Sequence, residues 1–268
     1  MRVAGFDENG LGPRFGPLVV TGILVEVSGE EETLLSSHSG PIDDSKRIFR
    51  RDQQSYALGE SIALAILASA GLSVEDTEGL RHGLELPDDI PLPKGKIPIW
   101  CDRGEFRDLG VRVIAIRTRA VSPARINQDN KFSLTASAML EMGRELLPLD
   151  LCVLGKIGGR KFYKPFLWDA FGDEISVLRE EQAESTYSAC GTRWCFLRDA
   201  DASCLPVAMA SIVGKYIREL VMLELNARAG FNSPIPYCSG YPGDPRTPEL
   251  ARALSDQRPD PWLAMRER

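Results

Sequence analysis

Two apolar runs near the start of the chain, residues 3–6 and 18–25, are separated by a loop rich in glycine and proline. This arrangement predicts a strand, a turn and a second strand. Asp7 and Glu8 follow the first run directly. Adjacent residues of a strand point to opposite faces, so the two carboxylates can reach one site only if the strand ends or bends there. The sequence therefore predicts either a solvated turn with two acids or an oxygen-ligand site for Mg²⁺ or Mn²⁺.

Helical and strand patterns alternate along the rest of the chain. Helices are predicted over residues 50–70, 132–147 and 203–229, and strands over 97–101, 111–116 and the LCVL run after Asp150. We expect Ser203 to cap the last helix, Pro206 to lie in its first turn and Gly230 to end it. The alternation predicts an α/β layered fold. We expect one domain over residues 1–268, with an irregular acidic and proline-rich insertion at about 72–110.

Composition excludes several classes of function. The net charge of −6 argues against general coating of nucleic acid and leaves only local basic clusters for such contacts. Six cysteines without a CxxC pair are typical of reduced thiols and argue against a zinc site. Two histidines, His38 and His82, lie in polar segments, which disfavours serine–histidine and cysteine–histidine catalysis. Because no targeting segment or membrane span is recognisable, we expect a cytoplasmic protein that does not bind membranes.

Three further segments carry chemistry. Asp44, Ser45 and Lys46 stand just ahead of a predicted helix, where they indicate either a phosphate site or simple helix capping. Asp201 stands just ahead of the longest helix, whose dipole favours a carboxylate. The segment CSGYPGDPRT holds Tyr241 in a tight turn, where a sugar could stack.

Together these segments resemble type 2 ribonuclease H, the ribonuclease HII family, and in motif style its archaeal and eukaryotic branch. The family begins with Asp-Glu and a Gly-Arg-Gly-Pro loop, continues with Asp-Ser-Lys, and later has an Asp followed by Ala-Ala-Ser-Ile-x-Ala-Lys-x-x-Arg. A weaker match is ARINQDNKFSLTASAM, similar to the family's Ile-Asp-x-x-Asn segment. The matching residues occur in the same order here: Asp7, Glu8, Gly10, Gly12, Pro13, Asp44, Ser45, Lys46, Asp201, Ala210, Ser211, Ile212, Lys215 and Arg218, with Leu11 at the position of the family's arginine.

The resemblance implies a ribonuclease H-like fold, with a central mixed β-sheet flanked by helices and a C-terminal helical part. It implies a monomeric endonuclease that cuts the RNA strand of RNA–DNA hybrids, or ribonucleotides embedded in a DNA duplex. Asp7, Glu8 and Asp201 would hold Mg²⁺ or Mn²⁺. The resemblance also implies residues that contact the substrate. Those at the ribose are Gly10, Leu11, Gly12 and Tyr241. Those toward the phosphates are Ser45, Lys46, Lys215 and Arg218, and internal salt bridges are the alternative role for the three cations.

Two positions depart from the family pattern. Leu11 replaces an arginine, and Gly155 stands where the family supplies a fourth carboxylate, with Lys156 beside it. We expect this loss to weaken metal binding and rate. Asp102, or one of Glu180, Glu181 and Glu184, could replace the missing ligand.

These departures leave two readings open. One is an impaired enzyme, and the other is an inactive relative that binds nucleic acid; a scaffold role is disfavoured. The basic loop 158–164 suits a phosphate backbone, or else is a solvated hairpin whose rings enter the core.

Overall fold

The computed structural model describes residues 1–27, 45–102, 111–172, 174–255 and 260–267, and gives only the backbone at Lys46 and Arg47. Asp44 and His38 lie outside the described residues.

Within that part of the chain the strands form one mixed sheet of seven strands in the order β3-β2-β1-β4-β7-β6-β5. The strands are β1 (Arg2–Asn9), β2 (Leu18–Glu26), β3 (Arg112–Val121), β4 (Leu151–Gly155), β5 (Ser176–Glu180), β6 (Glu184–Ala189) and β7 (Thr192–Leu197). β4 is parallel to both β1 and β7, and the other neighbouring pairs are antiparallel. The predicted mixed sheet flanked by helices is confirmed.

Helices cover both faces of this sheet. They are α1 (Ser45–Ile48), α2 (Gln53–Ser69), α3 (Thr77–Gly83), α4 (Pro123–Gln128), α5 (Lys131–Glu145), α6 (Lys164–Phe171), α7 (Ala200–Ser203), α8 (Leu205–Arg228) and α9 (Thr247–Ala253). α2 and α8 pack on one face, while α5 and α6 pack on the other. None of the described helices is long and apolar enough to cross a membrane.

The alternation of β1 explains how the two faces are filled. Val3 belongs to the core under α8, whereas Ala4 and Phe6 belong to the core under α5. At Gly5 a Cβ would lie 2.4 Å from the backbone of Pro206. The glycine therefore lets the start of α8 pack directly on β1, which places the long helix next to the end of the strand that carries Asp7.

Two local predictions were wrong. Residues 97–101 are not a strand, because the amides of Ile99, Trp100 and Cys101 donate to the buried carboxylate of Glu60 in α2 instead of to a sheet neighbour. Ser203 does not cap α8, since it ends the short helix α7 and Cys204 is the N-cap residue of α8.

Other local predictions agree with the structure. Pro206 lies in the first turn of α8, as expected, and the helix ends at Arg228, just before Gly230. The irregular insertion expected at about 72–110 stays a prediction: its described residues include α3, and residues 103–110 lie outside the described part of the chain.

The packing of α8 on β1 makes Gly214 sensitive to substitution. A Cβ there would lie 2.2 Å from Asn9 Oδ1 and 2.9 Å from Thr21 Oγ1. We expect Gly214→Ala to lower the free energy of unfolding by about 2 kcal/mol, because overpacking a tight contact forces side chains apart. Adding Asn9→Ala removes the nearer obstacle and is expected to recover more than half of that loss. Urea denaturation of both single variants and the double variant measures this coupling, and simple additivity would contradict it.

Candidate active site

The carboxyl ends of three parallel strands meet at one edge of the sheet. Phe6 of β1 pairs with Leu154 of β4, and Gly155 pairs with Leu197, the last residue of β7. Asp7 therefore emerges beside Gly155. Open α/β sheets place ligands at such carboxyl edges, so the topology marks this edge as the candidate site.

The two neighbouring carboxylates converge on the space that Gly155 leaves open. A Cβ on Gly155 would lie 3.3 Å from Asp7 Oδ1 and 3.6 Å from Glu8 Oε2. Two successive strand residues thus reach one point, although β1 continues to Asn9 and pairs with β2 through both of them without a bulge. The charge of Glu8 also acts on Tyr163, where burial first and then Glu8 raise the pKa of the phenol to about 12.

Asp201 lies in the first turn of α7 and is half-buried. This helix follows β7 and packs on β4, so Asp201 comes from the same edge of the sheet. Asp199, just before α7, adopts a left-handed conformation with φ of 52°, which turns the chain back toward the sheet. Over the described residues, however, no group of three or more His, Cys, Asp or Glu side chains is arranged to hold a metal ion.

The loop after β1, residues 10–16, is fastened to the turn at residues 239–241. The amides of Arg14 and Phe15 both donate to the carbonyl of Gly240, at 2.7 and 3.3 Å. Gly10 has φ of +92°, and a Cβ there would lie 2.3 Å from Pro17 O, so only glycine fits. The loop of residues 10–16, called the glycine loop below, is therefore held next to Tyr241.

A cleft of about 450 Å³ adjoins this turn. Arg51 and Lys215 line it together with Tyr241, whose ring is 38% exposed and lies 5.1 Å from the Arg218 guanidinium. Cations beside an aromatic ring suit a sugar-phosphate strand.

Comparison with known proteins supports the family resemblance. The family model described as Ribonuclease HII matches residues 167–266. A ribonuclease HII from Rhodospirillum rubrum is 37% identical over 73 residues, which is 27% of this chain and 29% of the relative's length. Over residues 167–266 this chain is therefore similar to the ribonucleases HII.

Solved structures extend the likeness in fold to the whole chain. The structure of the PCNA:RNase HII complex from Archaeoglobus fulgidus aligns with a TM-score of 0.55 at 19% identity, over 100% of this chain and 95% of that one. The ribonuclease H2 from Pyrococcus horikoshii OT3 aligns with a TM-score of 0.49 at 18% identity, over 99% and 92% of the two chains. The alignment with the Archaeoglobus fulgidus structure confirms the predicted ribonuclease H-like fold.

The donors at the sheet edge fit a hard divalent cation in type. Asp7 and Glu8 offer carboxylate oxygens, which Mg²⁺ and Mn²⁺ prefer. The fit in number is poorer, because Gly155 contributes only a hydrogen at the point where the two carboxylates meet. A carboxylate at position 155 would therefore stand beside those of Asp7 and Glu8.

Lys156 does not add its charge to that point. Its ammonium donates to the carbonyl of Glu181 and to Ser185 Oγ, at 2.7 and 2.8 Å, toward β6 and away from β1. Burial and then Lys161 lower its pKa.

The acids considered as replacement ligands are engaged or distant. Glu180 accepts from the Tyr187 hydroxyl, and Glu181 pairs with Arg179. Glu184 pairs with Leu197 in the sheet, which puts it three strand spacings, or about 14 Å, from β1. Asp102 is exposed at the end of the segment that Glu60 holds.

The residues expected to contact phosphate fall into different environments. Lys215 lines the cleft, where its ammonium pairs with Glu219 at 2.6 Å. Arg218 is fully buried and donates to backbone carbonyls, so an internal role fits it better than a contact with phosphate. Ser45 is buried against Ser211, 2.9 Å away. The Lys46 side chain lies outside the described residues.

The basic loop 158–164 divides between the two roles considered for it. Tyr163 is buried and stacks on Phe196 with 3.8 Å between ring centroids, as a core ring does. Phe162 is 59% exposed beside Lys161, and Arg160 lies over the Phe132 ring. Only the exposed part of this loop is available to a ligand.

Sequence reasoning missed the acid that shapes the Tyr241 turn. Asp244 accepts from the amide and hydroxyl of Ser239 and from the guanidinium of Arg51. Burial alone would raise its pKa, but Arg51 and these donors outweigh burial and lower it. The signal was present in the motif SGYPGDPR, because an aspartate after a Pro-Gly turn commonly accepts from nearby backbone amides.

Proposed function

We propose that this protein is a divalent-metal-dependent endoribonuclease that hydrolyses the RNA strand of RNA–DNA hybrids or ribonucleotides embedded in DNA. The observation that carries the proposal is the convergence of Asp7 and Glu8 on Gly155, at the edge from which α7 brings Asp201. The relation to the ribonucleases HII supplies the class of reaction. We propose further that it acts as a monomer in the cytoplasm.

In this proposal Asp7, Glu8 and Asp201 hold the cation, which would activate water and stabilise the leaving 3′ oxygen when bound. The backbone amides of the glycine loop and the ring of Tyr241 position the ribose, whose 2′-hydroxyl distinguishes RNA from DNA. Lys215 and Arg51 on the cleft attract the phosphates. The same cleft is lined by Glu219, which pairs with Lys215, and by Asp244, which pairs with Arg51. Because the protein also carries a net charge of −6, the proposed attraction requires phosphates to compete with these acids for the two cations.

A second candidate is a relative that binds the hybrid and cleaves it poorly or not at all. Gly155 favours this reading, since it removes an anionic ligand from the centre of the site. Leu11 also favours it, because its side chain packs against the core under α5 and puts no charge on the glycine loop.

The deciding experiment is cleavage of a labelled RNA–DNA hybrid, and of a duplex with one ribonucleotide, in Mg²⁺ and in Mn²⁺. The wild type is expected to cut at the ribonucleotide, and Asp7→Asn is expected to reduce the rate by about 100-fold or more, because it removes a charged ligand. Glu26→Gln is the matched control. Glu26 lies at the end of β2 that is far from the candidate site, where it pairs with Arg112 of β3.

The two candidates give opposite results in this assay. No cleavage by the wild type in either ion, together with binding of the hybrid at low salt, selects the binding protein. If Asp7→Asn leaves the cleavage rate of the wild type unchanged, Asp7 does not hold the metal and the proposed metal site is wrong.

A further inference from the structure

Two arginine side chains lie buried beneath the glycine loop. Arg218 comes from α8, and Arg266 comes from the C-terminal segment, residues 260–267. Arg266 donates from Nη1 to Gly10 O and from Nη2 to Gly16 O, the second at 2.5 Å. Arg218 Nη2 donates to Phe15 O and Ser239 O, at 3.1 and 3.0 Å. The two guanidinium groups thus bind the loop at both ends and link it to the Tyr241 turn.

Placing Arg266 there is energetically costly. Burial, and then the charge of Arg218, lower its pKa to about 9. A buried cation is normally paired with an anion, yet the hydrogen bonds of this side chain within the described structure go to backbone carbonyls. A neutral apolar side chain would fill the same space without that cost, so packing alone does not explain the residue.

The forked shape of the guanidinium group explains why an arginine occupies this position. Its two nitrogens span Gly10 and Gly16, the two ends of the loop, which a lysine ammonium could not hold in one fixed geometry. The loop is open to solvent at Gly12, which is exposed and where a Cβ would meet no atom within 4 Å. A loop fixed from below and free above is preorganised for a ligand that approaches its backbone.

We propose that Arg266 is a positioning residue that holds the glycine loop in the geometry that recognises the ribose 2′-hydroxyl. This inference rests on the proposed function for its ligand. Its effect on the loop itself does not depend on that function.

The test measures binding without metal, so that catalysis does not enter. Fluorescence anisotropy in EDTA compares an RNA–DNA hybrid with a DNA duplex of the same sequence, for the wild type and for Arg266→Ala. The variant is expected to lose about tenfold in affinity for the hybrid, or about 1.4 kcal/mol, with affinity for the DNA duplex nearly unchanged. Methylguanidinium should restore the preference by filling the vacated space, whereas equimolar sodium chloride should not.

Arg228→Ala is the matched control. Arg228 ties the same C-terminal segment to α8 through Asp260, at 3.1 Å, without touching the glycine loop. It is expected to leave the preference for hybrid unchanged, although it loosens the segment. An equal loss in this variant would mean that general anchoring of the segment, and not the guanidinium fork, is responsible, and would overturn the proposal.

Hydrogen exchange separates failure of this inference from failure of the proposed function. In folded Arg266→Ala, the amides of residues 10–12 and 14–16 are expected to exchange at least tenfold faster, while those of β4 do not change. Unchanged exchange in the loop, or an equal fall in affinity for hybrid and DNA duplex, overturns the role of Arg266. A wild type that binds the hybrid no better than the DNA duplex rejects ribose recognition in the proposed function, and the exchange data then decide whether Arg266 fixes the loop.

Discussion

Gly155→Asp is expected to tighten Mn²⁺ binding by about tenfold or more and to raise the rate of hybrid cleavage. The new carboxylate would start from a Cβ that lies 3.3 Å from Asp7 Oδ1 and 3.6 Å from Glu8 Oε2. Without metal, three like charges at one point repel each other, so the melting temperature in EDTA should fall below that of the wild type. With metal the same charges attract the ion, and each tenfold gain in affinity adds about 1.4 kcal/mol of stability at saturating metal.

Thermal denaturation with and without Mn²⁺ measures both effects in one protein. Gly155→Asn is the matched control, because it has the same shape without the charge and should show little of the metal-dependent gain. If the aspartate variant gains no more stability from Mn²⁺ than the asparagine variant, Gly155 is not at the metal site. If the rate stays unchanged while Asp102 or another acid proves essential, the missing ligand has been assigned to the wrong position.

Glu60→Gln is expected to cost about 3 kcal/mol of folding stability, because it leaves buried backbone donors without acceptors. Oε1 of Glu60 accepts from Ile99 N and from the Tyr216 hydroxyl, while Oε2 accepts from the amides of Trp100 and Cys101. Each oxygen thus has two donors, and an amide nitrogen in either place would face N–H or O–H groups. Urea denaturation measures the loss.

Tyr216→Phe provides the control for this prediction. It removes a single one of the four hydrogen bonds and should cost only about 1 kcal/mol. A Glu60→Gln variant that is as stable as Tyr216→Phe would show that the segment at residues 97–101 does not depend on the carboxylate.

The sequence predicted the elements whose patterns are strong and local. The runs that became β1, β2 and β4 are short, apolar and bounded by turn residues, and the long pattern of α8 is almost continuous. Strands β5 and β6 were missed because polar side chains interrupt them and the exposed edge strand β5 lacks a buried stripe. Strand β7 was missed although it ends in the apolar run WCFL. Their pairing partners, and not their own residues, make them strands.

The sequence predicted which residues belong to the candidate site, but it did not predict how they come together in space. Asp7, Glu8 and Gly155 were found because the family motifs name their positions, but their meeting depends on the parallel pairing of β1 with β4. The segment at residues 97–101 was predicted to be a strand from its apolar residues alone. Nothing in the sequence of the alanine-rich helix α2 reveals that Glu60 turns inward and binds the amides of this segment. Arg266 gave no signal, since a single arginine far along the chain looks like surface charge until the fold brings it under Gly10.

The parallel pairing of β1 and β4 also governs the order of assembly. Val3 aligns with Leu151, so the hairpin of β1 and β2 cannot complete its inner edge until more than half of the chain has left the ribosome. Contacts between such distant segments form slowly, and an unpaired apolar edge invites association with other nascent chains in the meantime. The candidate site at the carboxyl ends of these strands is consequently among the last parts of the molecule to mature during synthesis.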